Sequence, residues 1–568
     1  MPFADLSERT DIFMLTRKSM KNGVVRMCAV AIASVMLLGG CGTNPENQQD
    51  VAEYQTDANL NPLGEFPICK EPVTLKVMKA QDSLVEDFDT NKYTKKLEEY
   101  GNVTLEFELV PAADMQTKLN LIMNSGSEDL PDIIITPLNQ SQINSFAETG
   151  MIIPLNQYYE KSSKYLKEQL ESVPDKKDKI LKAITAADGN IYSIPRYNES
   201  LPNEFESILW IYKPWLDKLG LEIPKTLKEY KAVLQAFKDN DMNENGDPND
   251  EIPLIDTTSN QAVYCILNSF ITFTYSNGYL TLENDKLSLA FEDERWKQGL
   301  KYLNELCTEG LFSPVSFTMD TQQFKTVLSS ETNKAGSFSW TSTSCLPASS
   351  IRREEFVAIN PKQSENENAF IYRQTQPEQI FFITKACKNP EAAFRLGDLM
   401  CSEEMTIWSR WGEKGVDWVE ASPDEKGLYD FLGYPATIQP ILQWGSIQNA
   451  HWNNSTPGFR TYDVAAGMVV GDDASQVAKA DAFQSLDLMN HIPQNLIPPL
   501  TYTNEELEEY NDLMLGINSY VTEKMAHFIA GNENIDEGWD AYIAELKNMG
   551  ADRVLEIAQA AYDRMNKQ

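Results

Sequence analysis

The chain has 568 residues, of which 42% are hydrophobic and 10% aromatic, ample for packed cores and too long for a single compact domain. It carries 84 Asp and Glu against 49 Lys and Arg, a net charge of −35. Such a charge repels phosphate backbones and anionic lipid surfaces alike, which excludes nucleic acid as a partner and a basic patch as a membrane anchor.

In chain order, Arg17, Lys18, Lys21 and Arg26 precede a run from Met27 to Leu38 that is apolar except for Ser34. A positive n-region followed by a short apolar h-region is an export signal, and the run is well short of the roughly 20 residues that span a bilayer. It ends Leu38-Gly39-Gly40-Cys41. This ending resembles the lipobox of bacterial lipoproteins, which implies cleavage before Cys41, diacylation of Cys41 and a lipid anchor on the outer face of the cell membrane. Two acyl chains give stable anchoring where one is marginal. Residues 1–13 carry Asp5, Glu8 and Asp11, which suit neither an n-region nor a fold, so translation is expected to start at Met14 or Met20. Residues 41–70, polar and rich in Asn, Gln, Asp and Pro, read as a flexible tether.

Alternating Val73, Leu75 and Val77 predict a strand; Tyr93, Leu97 and Tyr100 predict a helix; a second strand begins at Val103. A helix over 113–124, a buried strand in "PDIIITP" and a helix from about 140 continue the alternation. The pattern implies an α/β fold with a mainly parallel sheet, whose ligands sit at the carboxyl ends of strands, here the loop Thr136–Gln140. A turn at Asp188-Gly189 and helices interrupted at Pro214 and Pro224 mark the passage from one lobe to another. From Asn504 to Gln568 the chain reads as amphipathic helices, with Leu507, Tyr510, Leu513 and Leu515 near helical spacing. No internal repeat is present.

The loop "DMNENGDPNDEIP" places oxygen-bearing side chains at Asp241, Asn243, Asn245, Asp247 and Asn249, with Gly246 at the sharp turn. This is the start of an EF-hand-like loop, in which alternate residues turn oxygens toward a hard cation. Ile252 occupies the position of the usual closing Glu, with Asp250 and Glu251 just before it. A solvated acidic turn is the plain alternative. Three histidines, none opening an HExxH, argue against a zinc enzyme, and no nucleophile elbow, phosphate loop or dinucleotide fingerprint occurs. Beyond Cys28 and Cys41, six cysteines without a CxxC pair are compatible with buried thiols or with disulfides.

Taken together, "VEDFDTNKYTKKLEE", "PDIIITP" with "AETGMIIPLNQYY", "DGNIYSIPRY", "DMNENGDPNDEIPL", "KNPEAAFRLGDLMCSEE" with "WGEKGVDW", and the closing "FIAGNENIDEGWDAYIAELKNMGADRVLEIAQAAYDR", in this order behind a lipobox, resemble the extracellular solute-binding lipoproteins of carbohydrate ABC importers. The subgroup akin to the alginate-oligosaccharide binding proteins is the most similar. The resemblance implies a two-lobed periplasmic-binding-protein-like fold with a hinge and an interlobe cleft. It puts lobe 1 at about 71–190 plus a return segment near 335–390, and lobe 2 at about 195–330 plus much of 391–568. It further implies a monomer without enzymatic activity that delivers an oligosaccharide to the permease subunits of an ABC transporter. The related calcium loop closes on an acidic pair before an apolar pair, which Asp250-Glu251 and Ile252-Pro253 match, so the loop is expected to hold structural calcium remote from the ligand.

All ten tryptophans follow residue 200. Sugar sites pair flat aromatic rings with fixed polar groups. Trp340 in "GSFSWTSTS", and Trp444 and Trp452 flanking "GSIQNAH", lie in polar, turn-rich sequence and are expected at the cleft. Trp210, Trp215 and Trp539 are expected in packing. Arg196-Tyr197 in "SIPRYNES" falls where the resemblance puts the first crossover, and an Arg there can clamp a carboxylate or fork to adjacent hydroxyls. Two other readings stay open: a surface-anchored glycan-cleaving enzyme using two of the many carboxylates, and a binding protein for a peptide or another polar solute.

Overall fold

The computed structural model describes residues 57–566, apart from 126–129, 187, 248, 274–277, 364–367, 443–445, 470–473 and 501. The expected export signal, Cys41 and Trp444 lie outside the described residues. Among the described residues fifteen strands run in chain order: β1 (Val73–Ala80), β2 (Val103–Val110), β3 (Ile133–Ile135), β4 (Ser193–Asn198), β5 (Phe205–Tyr212), β6 (Ile252–Ile255), β7 (Leu280–Glu283), β8 (Lys286–Leu289), β9 (Ala335–Trp340), β10 (Phe356–Ile359), β11 (Phe370–Tyr372), β12 (Glu378–Ile383), β13 (Trp418–Glu420), β14 (Ile438–Pro440) and β15 (Gly458–Arg460).

The opening unit forms as its periodicity requires. Val73, Leu75 and Val77 are buried on β1, while Thr74 and Lys76 face out. Helix Lys92–Gly101 buries Tyr93 and Leu97 and starts at Asn91, whose side chain accepts the Tyr93 N–H. β2 returns parallel to β1 in register Val73 to Val103. β3, three isoleucines buried on both faces, lies on the other side of β1. The first sheet has the order β15-β4-β12-β3-β1-β2, with β12 antiparallel to β3 and β4 and the remaining neighbours parallel.

The second sheet has the order β10-β5-β9-β6, with β11 also on β5. β5, "FESILWIY", is buried along almost its whole length because it has partners on both sides and layers on both faces. Trp210 and Trp215 belong to that core, as does Trp539 from helix Ile535–Asn548. The long helix Asn504–Ala530 is set by a capping box, Thr503 with Glu506, and turns Met514, Ile517, Val521, Met525 and Phe528 inward. Leu515, which the spacing assigned to that stripe, is 74% exposed, one position off the buried face. Pro214 opens helix Lys213–Leu219 rather than interrupting one, since a first-turn proline loses no hydrogen bond.

The sheets group the chain differently from the expected division into lobes. Segment 335–372 belongs to the second sheet, through β9, β10 and β11, and the chain returns to the first sheet only with β12 and later β15. Helix Pro390–Met400 packs on the first lobe's helices Asn156–Ser162 and Tyr165–Ser172. The stretch read as a tether to residue 70 is docked from Asp57 onward: Arg395 donates to the Asn61 carbonyl at 2.7 Å, and Leu60 pairs with Cys69. The six cysteines of the described residues are free thiols, four of them buried. Among the described residues no helix is long and apolar enough to cross a membrane.

Candidate ligand cleft and hinge

Three segments pass between the sheets: 199–204 from β4 to β5, 373–377 from β11 to β12, and the chain leaving β15 at Thr461. β1, β3, β4 and β15 all point their carboxyl ends toward this edge of the first sheet. In the second sheet the carboxyl ends of β6 and β9 lie beside the start of β5, where Ile208 pairs with Trp340. The two carboxyl edges flank the three crossings, the position where open α/β sheets take their ligands.

Two buried glutamates join the crossings. Glu199, 3% exposed, accepts from the Tyr462 backbone N–H at 3.0 Å, from the Tyr197 hydroxyl at 2.8 Å and from the Lys176 ammonium. Glu204, 4% exposed, accepts from the Thr375 hydroxyl at 2.6 Å and from the Tyr462 hydroxyl. Burial raises the Glu204 carboxyl above its usual range, opposed by these two donors. A carboxylate removed from water is tolerated only when donors replace its hydration. Here the donors come from the second and third crossings, through Thr375 and Tyr462, and from Tyr197 and Lys176 of the first lobe.

Beside this knot lies a cavity of about 580 Å³. Lys176, Lys179 and Tyr197 line it from the first lobe, and Tyr372 and Met489 from the second, with Glu199, Glu204 and Tyr462 at the hinge. Its volume lies within the usual range for small-molecule sites, roughly 300–1,000 Å³. Aromatic rings beside charged and amide groups suit a solute with apolar faces and a polar rim.

The residues singled out from the sequence fall in different places. Arg196 lies on β4 opposite Glu378 of β12; its Nε donates to Glu378 at 3.0 Å and its Nη1 to the Asn454 carbonyl at 2.7 Å. Tyr197, next along the strand, points to the other face, packs with its ring tilted 4.9 Å from that of Phe459 and reaches the cavity edge. Trp340 is partly exposed at the end of β9, one face stacked 5.6 Å from Phe324, its carbonyl accepting from the Trp210 indole at 3.0 Å. Trp452 departs from expectation. It is fully buried among Phe88, Tyr93 and Phe107, and its indole donates to Thr94 at 2.8 Å. Its polar neighbours in sequence conceal an aromatic pocket built by residues far upstream. Asn453 and Asn454, both at positive φ, turn the chain back to the sheet edge, where Asn453 donates to Asp82 at 3.0 Å.

Lys79, near the carboxyl end of β1, is 3% exposed; its ammonium donates to the Ser455 carbonyl at 2.6 Å and lies 5.5 Å from the Trp452 ring. Burial, with Arg196 nearby, lowers it to about 7. Sequence reading passed over Lys79, Glu199, Glu204 and Tyr462. Only Lys79 carries a local sign, a charged residue after the apolar Val77-Met78; the other three have none.

The acidic loop lies at the amino end of β6, away from the cleft edge. Asn243 and Asn245 donate to the two Asp250 oxygens at 2.9 and 2.7 Å, Asp241 Oδ2 accepts from Gly246 N–H at 2.9 Å, and Glu251 Oε1 accepts from Met242 N–H at 2.7 Å. Asp241 Oδ1 and Glu251 Oε2 are buried without a hydrogen-bond partner. Two orphaned carboxylate oxygens in one loop are the donor set a calcium ion would complete. Among the described residues no group of three or more His, Cys, Asp or Glu is gathered for a metal, so side-chain amides or backbone carbonyls would supply the remaining ligands.

The sequence pattern of the bacterial extracellular solute-binding proteins matches residues 81–407, more than half of the chain. The chain belongs to that family. This solute-binding protein is 28% identical over 558 residues to the fructooligosaccharide ABC transporter substrate-binding protein FusA of Streptococcus pneumoniae serotype 4, covering 94% of this chain and 96% of FusA. Its structure resembles that of FusA in complex with kestose, with a TM-score of 0.65 and 25% identity over 87% of this chain and 99% of that one. FusA has also been solved as an EF-hand mutant. An HMO-binding solute-binding protein from Bifidobacterium longum infantis shares the fold at a TM-score of 0.70 and 20% identity, over 87% of this chain and 99% of that one. So does the alginate-binding protein AlgQ2, solved without calcium ion, at 0.59 and 21%, over 87% and 98%. The solute-binding protein is accordingly two-lobed, and its family and relatives are binding proteins.

Proposed function

We propose that this solute-binding protein captures an oligosaccharide between its lobes and hands it to the permease of an ABC importer. The observation that carries this reading is the cavity at the hinge, walled by tyrosines, carboxylates and lysines from both lobes in a chain whose relative FusA is a fructooligosaccharide binder. A ligand contacting both lobes favours the closed arrangement by its differential affinity for it. Tyr197 and Trp340 are proposed as stacking surfaces at the cleft, with Arg196 holding the first-lobe edge. The lobes divide by sheet, the first closing with β12 and β15.

Two further features belong to the same reading. Asp241, Asn243, Asn245, Asp247, Asp250 and Glu251 are proposed to hold structural calcium, supported by the two orphaned carboxylate oxygens and by the EF-hand mutant of FusA. Cys41 is proposed as a diacylated anchor, on the strength of the sequence before it. The protein is expected to act as a monomer.

The test is a thermal-shift screen of glycans, followed by solution scattering on any that raise the melting temperature. A sugar that stabilises the protein, shrinks its radius of gyration and is recovered uncut supports the reading. New reducing ends would identify a glycan-cleaving enzyme instead, and stabilisation by peptides alone would change the cargo.

A further inference from the structure

A second cavity, of about 480 Å³, lies against the first and shares with it the wall Ile492-Pro493-Gln494. Its other side is formed by hairpin β7–β8, through Thr281 and Glu283, and by Arg295 and Asn368. The two chambers differ in chemistry. The hinge chamber holds Tyr197, Tyr372 and Tyr462, whereas the described residues that line the outer one include no Phe, Tyr or Trp. Its groups are set in place: Arg295 is held by Glu283 at 2.7 Å and Asp293 at 2.8 Å, and Asn368 donates to the His491 carbonyl at 3.2 Å.

The dividing wall is weakly tied. From Ile492 to Leu500 no backbone–backbone hydrogen bond forms among the described residues, and Pro493, Pro498 and Pro499 have no N–H to give. Ile492 and Leu496 rest on the second-lobe core. Beneath Pro493 and Leu496 a small void reaches from Tyr372 on the hinge side to Thr272 and Asn368 on the outer side. Segments with few backbone hydrogen bonds are the ones that move at low cost.

We infer that the outer chamber is a second subsite, which takes the distal units of the same carbohydrate chain whose first units stack in the hinge chamber. This rests on the oligosaccharide reading above. One chamber supplies ring faces for stacking, the other amide, hydroxyl and guanidinium groups for hydroxyls, and the Ile492–Gln494 strap is where the ligand passes from one to the other. The protein therefore selects for chain length.

The test uses the full mature chain and two ladders, fructo-oligosaccharides and alginate oligosaccharides, each from disaccharide to octasaccharide, titrated calorimetrically. Affinity is expected to rise about tenfold or more with length and then to level off. Asn495→Trp, at an exposed position of the outer chamber, and Glu283→Ala are each expected to remove that gain while leaving the shortest bound member within about twofold. A disaccharide bound as tightly as the longest chain overturns the inference, as does a length gain that survives both variants or a loss equal at all lengths. A failure of every member of both ladders to bind, with a peptide screen positive, refutes the oligosaccharide reading itself.

Discussion

Tyr462, 258 residues downstream of Glu204, donates its hydroxyl to that buried carboxylate, while its backbone N–H donates to Glu199 at 3.0 Å. One residue of the third crossing thus ties both glutamates of the first. Tyr462→Phe leaves Glu204 buried and short of a donor, which costs about 1–3 kcal/mol. Denaturant unfolding should show that loss. A variant as stable as the parent would mean that Thr375 and water satisfy Glu204 without Tyr462.

Chelation should lower the melting temperature, because a cation bound only by the folded state stabilises it by mass action. In Asp241→Ala the chelator should have no effect. The check is a pair of melting curves after thorough stripping, and identical parent curves with and without calcium would rule the site out.

Trp340 and Trp452 should respond oppositely to truncation. Trp452→Ala empties a fully enclosed aromatic pocket and should cost about 3–5 kcal/mol. Trp340→Ala removes a partly exposed ring and should weaken sugar binding while moving the melting temperature far less. Intact affinity in Trp340→Ala would take that residue out of the site.

Lys479, 6% exposed on helix Ala474–Ser485, has no hydrogen-bond or ion-pair partner among the described residues, and burial pushes its amine down to about 7 from the ordinary 10.5. Between these values the unfolded chain binds a proton that the folded chain does not, so the contribution of Lys479 to stability rises with pH across that window and is least favourable below 7. Lys479→Met should therefore stabilise the protein by on the order of 2 kcal/mol in mildly acidic buffer, with a gain that shrinks toward pH 10. Melting curves across that range check it; a gain independent of pH would assign the effect to packing alone.

Cys41→Ser should release the protein from membranes into the soluble fraction. Fractionation decides it, and unchanged membrane association would mean another anchor.

Local periodicity carried most of the first lobe. The alternation on β1, the Tyr93 and Leu97 face and the triple isoleucine of β3 each reflect contacts with near neighbours in sequence. The hinge was another matter. Glu199 and Glu204 stand in "NESLPNEFES" as two acids among several, and what distinguishes them is donors from residues 176, 197, 375 and 462. Trp452 misled for the same reason in reverse: "HWNNSTPG" is polar, yet Phe88 and Tyr93 enclose the ring. The swap of 335–372 into the second lobe followed from strand pairing, to which composition is blind.

That first lobe also sets an order of events. Its core is seeded by residues 73–135 but is sealed by Trp452, whose indole meets Thr94 across 358 residues of chain, and its sheet gains its last strand only at 458–460. Contacts so distant in sequence form slowly, because the loop must close before any packing rewards it. A nascent chain that ends before residue 452 therefore cannot complete the lobe it began with. With the export signal expected at the N-terminus, such late closure would leave the precursor threadable through a narrow translocation pore until most of the chain has been made.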